Sequence, residues 1–110
     1  MKISPLLFAI LPAAIACQQP PTELRTYTLT SANATTQYTQ IWKKHLVSLE
    51  KFNDTTRAVW NPENNDKQVI ALIQYAMGDD PANVTAAYMA SEYFAEDMSG
   101  FSFSNFERTV

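Results

Sequence analysis

The sequence contains few of the residues that cross-link small domains or bind metals: one cysteine, one histidine and two glycines among 110 residues. A single cysteine excludes an internal disulfide. One histidine and scattered carboxylates do not form the ligand sets that bind zinc or other transition metals. The sequence also has neither a glycine-rich phosphate loop nor a nucleophile elbow. It therefore predicts no metal and no cofactor.

Positive charge is scarce and scattered along the chain. The formal net charge is -3, and no cluster of lysine and arginine provides the basic surface that nucleic-acid-binding proteins need. Beyond residue 16 no apolar run is long enough to cross a bilayer. We therefore expect no nucleic-acid partner and no transmembrane segment after the N-terminal region.

The N-terminal region is typical of a secretory signal peptide. A positive start is followed by an apolar run at residues 3–15 and by an Ala-Ile-Ala cleavage pattern. Removal of residues 1–16 would leave a lead-in at residues 17–22 and a single domain at residues 23–110, and the protein would be secreted. In the alternative, Ala-Ile-Ala-Cys resembles a bacterial lipobox, and the protein would be lipid-anchored through Cys17.

Three Asn-x-Thr sequons follow the predicted signal peptide, which favours a glycoprotein of the secretory route. Each lies where a loop or a helix end is expected, so that a glycan would be tolerated there. The acceptor residues are Asn33, Asn53 and Asn83.

Alternating residues at 23–30 predict a first strand, with Arg25, Tyr27 and Leu29 on one face. After a turn with Ser31 or Asn33 as helix cap, a long amphipathic helix is expected to reach residue 52. Its apolar stripe contains the only histidine, and consists of Tyr38, Ile41, Trp42, His45, Leu49 and Phe52.

Two further strands are expected at residues 55–61 and 67–76, separated by a dense turn signal. In the first of them Thr56, Ala58 and Trp60 are predicted to share one side. The second is apolar on both faces, which predicts a central strand covered on both sides.

The last part of the chain predicts a second helix and a final strand. Asp80 as cap and Pro81 in the first turn begin the helix, which is expected to continue to Met98 with an interruption near Ser91. Residues 101–110 then predict a strand. The acidic pairs at residues 79–80 and 96–97 are interpreted as a helix cap and a solvated helix end.

The predicted order β-α-β-β-α-β is that of an α+β, ferredoxin-like domain, with two helices on one face of a four-stranded antiparallel sheet. The opposite face of the sheet would be open in a monomer, although its central strand is apolar there. A second sheet should cover this face, which predicts a homodimer.

Several segments resemble the dimeric α/β-barrel superfamily. The segment ELRTYTL at residues 23–29 resembles the opening strand of NIPSNAP-type domains, and Trp42 and His45 resemble residues of their first helix. Residues 68–75 and the SEYF step at residues 91–94 are similar to later elements. The second half is about equally similar to the antibiotic-biosynthesis monooxygenase (ABM) group. The resemblance implies a homodimer with a pocket between each sheet and its helices.

The candidate catalytic residues are His45, Arg25 and Tyr27. A neutral imidazole beside an aromatic pocket can take a proton from a phenol or an activated carbon; alternatively, it packs in the core and bonds to a backbone carbonyl or a tyrosine. Arg25 would steady an anionic substrate if it faces inward, and would otherwise form a surface salt bridge.

Aromatic residues are the second group of candidates. They either line an apolar pocket with a few polar groups or simply fill a small core. The set that we expect to line the pocket is Tyr38, Trp42, Trp60, Tyr75 and Tyr88.

The resemblance to the superfamily implies two functional hypotheses. In the first, the protein is a cofactor-independent monooxygenase or cyclase-like enzyme acting on an aromatic or polyketide-like molecule. Haem-degrading relatives use a histidine on the second helix, which this chain does not have. In the second hypothesis, the protein is a non-catalytic dimeric module that binds a small apolar ligand or serves a structural role.

Overall fold

A computed structural model describes residues 19–110, so the predicted signal peptide and the alternative lipid anchor at Cys17 lie outside the described residues. The elements follow one another as strand β1 (Thr22–Leu29), helix α1 (Ala32–Glu50), strands β2 (Thr55–Trp60) and β3 (Gln68–Gln74), helices α2 (Pro81–Met89) and α3 (Glu92–Asp97), a 3₁₀ turn (Phe103–Asn105) and strand β4 (Phe106–Thr109).

The four strands form one antiparallel sheet in the order β2-β3-β1-β4. The predicted α+β class is confirmed, and the architecture is compatible with a ferredoxin-like fold. The pairing of β1 with β3 places Tyr27 opposite Val69 and Arg25 opposite Ala71. Because side chains directly opposite one another share a face, these four residues lie on the same side of the sheet.

This inner face of the sheet forms the core together with α1. Leu29, Val69 and Ala71 are fully buried, and the apolar stripe of α1 lies over them with Trp42 and Leu49 buried. Burial of each large aliphatic side chain contributes about 1.5–3 kcal/mol to stability. The core therefore holds α1 on the sheet, as the stripe predicts.

The outer sheet face includes Leu24, Ala58, Trp60, Ile70 and Leu72, and no helix within residues 19–110 packs against it. Leu24 is 57% exposed and Trp60 is 41% exposed, whereas Ile70 and Leu72 are half-buried. The central strand β3 is thus apolar on both faces, but the helices of the described residues cover only its inner face.

A register shift in β2 changes one predicted face. The irregularity lies between Thr56 and Ala58, so Thr56 pairs with Ile73 on the inner face while Ala58 pairs with Leu72 on the outer face. The prediction that Thr56, Ala58 and Trp60 share one side is therefore wrong for Thr56, because the bulge inserts one extra residue into the alternation.

Helix α1 begins and ends with capping structures that its sequence specifies. The Ser31 hydroxyl accepts a hydrogen bond from the Ala34 backbone N–H at 3.0 Å, which makes Ser31 the N-cap. At the other end Asn53 has a φ of 64°, and the Asp54 backbone N–H donates to the Leu49 carbonyl at 3.1 Å. This Schellman arrangement ends the helix and turns the chain into β2 with Asp54 at the junction.

The second helical segment is divided, as the sequence suggested. Asp80 caps α2 with Pro81 in its first turn, which confirms the predicted start. Ser91 then caps α3, and its hydroxyl also donates to the Tyr88 carbonyl at 2.6 Å.

Within residues 19–110 no helix is both long and apolar enough to cross a membrane.

The C-terminal strand is shorter than predicted. Residues 101–110 were expected to be extended throughout, but a 3₁₀ turn occupies Phe103–Asn105 and β4 begins at Phe106. The Ser102 hydroxyl caps this turn by accepting from the Ser104 backbone N–H. Serine residues that bond to the nearby backbone compete with strand formation, which explains the difference.

Candidate functional site

A half-open cavity of about 920 Å³ lies between the inner face of the sheet and the helices. Its size is within the range that small-molecule sites occupy. The residues predicted from the sequence that line it are Arg25, Tyr27, Tyr38, Trp42, His45, Tyr75 and Tyr88. Seven of the eight candidate site residues are therefore brought together around one space.

Trp60 is the exception. It was expected to line the pocket, but it lies on the outer sheet face and does not border the cavity. The register shift in β2 leaves it on the face opposite the helices, so this prediction is wrong.

The His45 cluster, formed by His45, Tyr88 and Asp97, joins α1 to α2 and α3. The Tyr88 hydroxyl donates to Asp97 Oδ2 at 2.7 Å and lies within hydrogen-bonding distance of His45 Nδ1. His45 Nδ1 is also 3.4 Å from Asp97 Oδ2. Because the single tyrosine proton goes to Asp97, the Tyr88 oxygen accepts from His45, which places the imidazole proton on Nδ1.

This arrangement leaves His45 Nε2 with a free lone pair. Nε2 forms no hydrogen bond to any residue of the described range and is not among the fully buried polar atoms that lack a partner. The His45 side chain lines the cavity. Burial lowers the pKa of His45 below its usual value and outweighs the opposing effect of Asp97. The imidazole is therefore neutral at pH 7, the form that accepts a proton.

Asp97 is a functional residue that the sequence did not reveal. The pair at residues 96–97 was interpreted as a solvated helix end, but Asp97 is buried while Glu96 is exposed. Burial, together with the hydrogen bond to Asp97, raises the pKa of Tyr88 far above its usual value. Tyr88 thus stays protonated and links the imidazole to the carboxylate.

The Arg25 cluster lies in the same cavity and is formed by Glu23, Arg25, Tyr27, Tyr75 and Thr85. Arg25 Nε donates to Glu23 Oε1 at 2.7 Å, Nη1 to the Tyr27 hydroxyl at 3.2 Å, and Nη2 to Tyr75 and Thr85 at 2.8 Å each. The Tyr75 hydroxyl also donates to Glu23 at 2.7 Å. Four of the five guanidinium N–H groups are therefore engaged, and one Nη1 hydrogen remains.

The charges of the Arg25 cluster compensate one another. Burial raises the pKa of Glu23, but hydrogen bonds from Tyr75 and Arg25 outweigh it and leave the pKa below its usual value. Burial lowers the pKa of Arg25, whereas Tyr27, Tyr75 and Glu23 raise it by more. Both groups are therefore ionised at pH 7, and Arg25 faces the cavity as a partner of Glu23 rather than as a free cation.

Asp54 is a third polar group of the cavity. It lines the cavity and is 2% exposed. No residue of the described part of the chain donates a hydrogen bond to its side chain, and Oδ1 is fully buried without a partner. Burial raises its pKa from 3.8 to about 6; among its neighbours Arg25 lowers the pKa, whereas Asp79 and Glu23 raise it.

Aromatic rings form much of the remaining wall. Tyr38 lies edge-on to Tyr27 with ring centroids 5.0 Å apart and to Trp42 at 6.4 Å. Phe94 stacks on the His45 ring at 5.9 Å, and Phe103, which is 59% exposed, stacks on Phe94. These contacts make the wall rigid and apolar, with an aromatic ring exposed at residue 103.

Within residues 19–110, no three His, Cys, Asp or Glu side chains are grouped so that they could hold a metal ion.

Comparison of the chain with protein-family models and with curated protein sequences found no match. The resemblance to NIPSNAP-type and ABM domains therefore stays a prediction.

The geometry combines three features: an oriented neutral imidazole, a carboxyl without a protein partner, and an apolar aromatic wall. An imidazole held through Nδ1 by a tyrosine and a carboxylate is suited to take a proton at Nε2. The Asp97 carboxylate then stabilises the imidazolium that forms on His45.

Proposed function

We propose that this protein is a small dimeric α/β-barrel enzyme that removes a proton from a phenol or an activated carbon of an aromatic or polyketide-like molecule. It would act as a monooxygenase or cyclase without a cofactor. The observation that carries this proposal is the His45 cluster: Nδ1 is held by Tyr88 and Asp97, while His45 lines the cavity and its Nε2 bonds to no residue within residues 19–110.

The first step is proton transfer. His45 Nε2 takes a proton from the substrate, and Asp97 favours the resulting imidazolium through Tyr88. The aromatic walls hold a flat apolar ring next to the base and exclude water from the anion. The one free N–H of Arg25 is available to the oxygen of a phenolate or enolate.

In a monooxygenase, the substrate anion then reacts with molecular oxygen. An activated methylene carbanion adds to oxygen, the peroxide takes back the proton from His45, and loss of water gives a carbonyl. One methylene and one oxygen molecule thus yield one carbonyl and one water. In a cyclase, the same carbanion attacks a carbonyl within the substrate instead, and no oxygen is consumed.

Oxygen uptake and product mass test this proposal together. Phenols and aryl-activated methylene compounds are incubated with the wild-type protein and with His45→Gln. Lys44→Gln, on the exposed side of the same helix, is the matched control. We expect turnover by the wild type and by the control, and a loss of at least about 100-fold in His45→Gln. A monooxygenase product gains one oxygen and loses two hydrogens, whereas a cyclase product does not gain oxygen.

The pH profile of kcat/KM provides a second check. Because the folded protein lowers the pKa of His45, activity should stay constant through pH 7 and fall only below the usual histidine pKa of about 6.5. Equal turnover by the wild type and His45→Gln would exclude His45 as the base. Absence of turnover on every compound class would refute the enzymatic proposal.

The proposed dimer is formed through the outer sheet face. Its centre is mainly apolar, with Thr26 opposite Ile70, and Leu24 and Trp60 are exposed in the single chain, while Thr22, Thr28 and Gln74 provide a polar rim. A second copy presents the same apolar centre and polar rim, which is the self-complementarity that a two-fold dimer requires. Light scattering at micromolar concentration should give twice the chain mass, and a monomer would contradict the proposal.

Secretion and glycosylation are part of the same proposal. Asn33, Asn53 and Asn83 are all exposed, which is what glycan acceptors require. Expression in a eukaryotic secretory host should place the protein in the medium with its mass reduced by a glycosidase. An unmodified mass, or retention inside the cell, would contradict this part.

A further inference from the structure

Asp54 has no evident structural role that explains its burial. A buried carboxylate is normally paired or accepts hydrogen bonds, because removing it from water without compensation is costly. Asp54 has neither form of compensation within residues 19–110: it takes part in neither of the ion pairs found there, and no side chain or backbone N–H donates to it. Since it borders the cavity, a partner for it can come from a ligand.

The charges around Asp54 indicate the kind of partner. Among the described residues whose charges shift its pKa, the cation is Arg25, which is already paired with Glu23 at 2.7 Å. The other two charged neighbours, Glu23 on β1 and Asp79 before α2, are acidic. This end of the cavity therefore carries excess negative charge, which disfavours a carboxylate or phosphate and favours a cation.

The cavity walls suit an aromatic ligand with a cationic group. Rings of Tyr27, Tyr38 and Trp42 border the same space, and aromatic faces attract ammonium groups as well as flat rings. A charge-assisted hydrogen bond from an ammonium to a desolvated carboxylate would provide the partner that Asp54 does not have.

We propose that Asp54 is a binding residue for the protonated amine of an aromatic ligand in this cavity. This inference rests on the proposed function, because it names the substrate class of the same site. It adds a recognition residue that acts in binding, whereas His45 acts in proton transfer.

The inference has a consequence for pH dependence. The pKa of Asp54 is raised to about 6, so the carboxyl is ionised at pH 7 and becomes neutral below pH 6. An amine should therefore bind about tenfold more weakly at pH 5 than at pH 7. A neutral ligand of the same shape should not show this loss.

Three probes of one shape test the inference by isothermal titration calorimetry at pH 7. Tyramine carries an ammonium, its analogue tyrosol carries a hydroxyl at the same place, and hydroxyphenylacetate carries a carboxylate. Each is titrated into the wild type, into Asp54→Asn, and into Asp66→Asn, in which the removed carboxylate is exposed. We expect tyramine to bind the wild type about 10- to 100-fold more tightly than tyrosol, and the acid to bind most weakly.

The outcomes separate this inference from the proposed function. A preference for tyramine over tyrosol that disappears in Asp54→Asn and persists in Asp66→Asn supports the inference that Asp54 binds the amine. Equal binding of tyramine and tyrosol, or a preference unchanged in Asp54→Asn, overturns it and leaves the proposed function intact. If none of the three binds the wild type at millimolar concentration, this inference fails, whereas the proposed function is decided separately by turnover. The pH dependence of tyramine binding uses the wild type alone and does not depend on folding of the variant.

Discussion

Replacing Asp54 by asparagine should stabilise the protein at alkaline pH. Asparagine has nearly the same shape as aspartate but never ionises, so the change removes the charge and leaves the packing unaltered. Because Asp54 is 2% exposed and has no hydrogen-bond partner among the described residues, its charged form is poorly solvated in the folded protein. The unfolded chain does not have this penalty, since its carboxylate is in water.

The magnitude follows from the pKa. Burial raises the pKa of Asp54 from 3.8 to about 6, and this difference of about two units corresponds to about 3 kcal/mol. An acid with a raised pKa in the folded state binds its proton more tightly there. The contribution of Asp54 to stability is therefore most favourable below pH 4 and is lost as the pH rises to about 6. At pH 8 the wild type should carry the full cost of about 3 kcal/mol, and at pH 4 less than about 1 kcal/mol.

Urea unfolding of the wild type and of Asp54→Asn at pH 4 and pH 8 measures this effect. The free-energy difference between the two proteins should shift by about 2 kcal/mol in favour of the variant between the two pH values. Asp66→Asn, which removes an exposed carboxylate, should show almost no shift. A difference between wild type and Asp54→Asn that is the same at both pH values would refute the argument that Asp54 is ionised at a cost.

Three further substitutions test the other parts of the structure. Tyr88→Phe removes the hydroxyl that joins the imidazole to the Asp97 carboxylate. Because that hydroxyl transmits the effect of Asp97, which raises the His45 pKa against burial, NMR should show a further lowered pKa of His45, and stability should fall by about 1–3 kcal/mol; an unchanged His45 pKa would contradict the cluster. Leu24→Lys places a charge in the outer sheet face and should give a monomer in light scattering. Val47→Lys, at an exposed position of α1, is the control and should leave the dimer intact. A dimer in both variants would place the interface elsewhere. Phe103→Ala removes an exposed ring that borders the cavity and should weaken the binding of an aromatic ligand about tenfold. The change in the free energy of unfolding should stay below about 0.5 kcal/mol. Unaltered affinity would exclude Phe103 from the site.

Much of the fold could be predicted from local patterns. The alternation of β1 and the helical spacing of α1 identify which faces are buried, and the caps at Ser31 and Asp80 determine where two helices begin. These features depend only on residues close in the sequence. The boundary of β4 was predicted less well, because Ser102 and Ser104 bond locally and form a turn in which Phe103 does not join the strand.

The site could be predicted only in part, because its hydrogen bonds join distant segments. His45 and Tyr88 were candidates as aromatic or titratable residues within apolar patterns. Asp97, however, is 52 residues from His45, and a carboxylate next to Glu96 at a helix end has the sequence pattern of a solvated position. The one available signal was the helix break at Ser91, which starts a new helix and reorients the residues that follow it.

Asp54 and Trp60 show a second limit of the sequence. The end of α1 was predicted near residue 52, but its Schellman turn and the start of β2 at the next residue determine the position of Asp54 in the cavity wall. The bulge in the same strand puts Trp60 on the outer sheet face. A one-residue change of register reverses every face that follows, and single-sequence alternation does not reveal it.

The hydrogen-bonding character of the cavity restricts its ligand further. The Arg25 cluster is nearly saturated, with one guanidinium hydrogen left. Two acceptors of the cavity have no partner among residues 19–110, His45 Nε2 and the Asp54 carboxylate, and both accept hydrogen bonds at pH 7. The Trp42 Nε1–H is an unpartnered donor in the same wall. A ligand that satisfies both must therefore donate at two places, and a phenol with an amine on its side chain does so. The same phenol proton that makes such a ligand bind His45 is the one that the base would remove, so recognition and the first chemical step would use one contact.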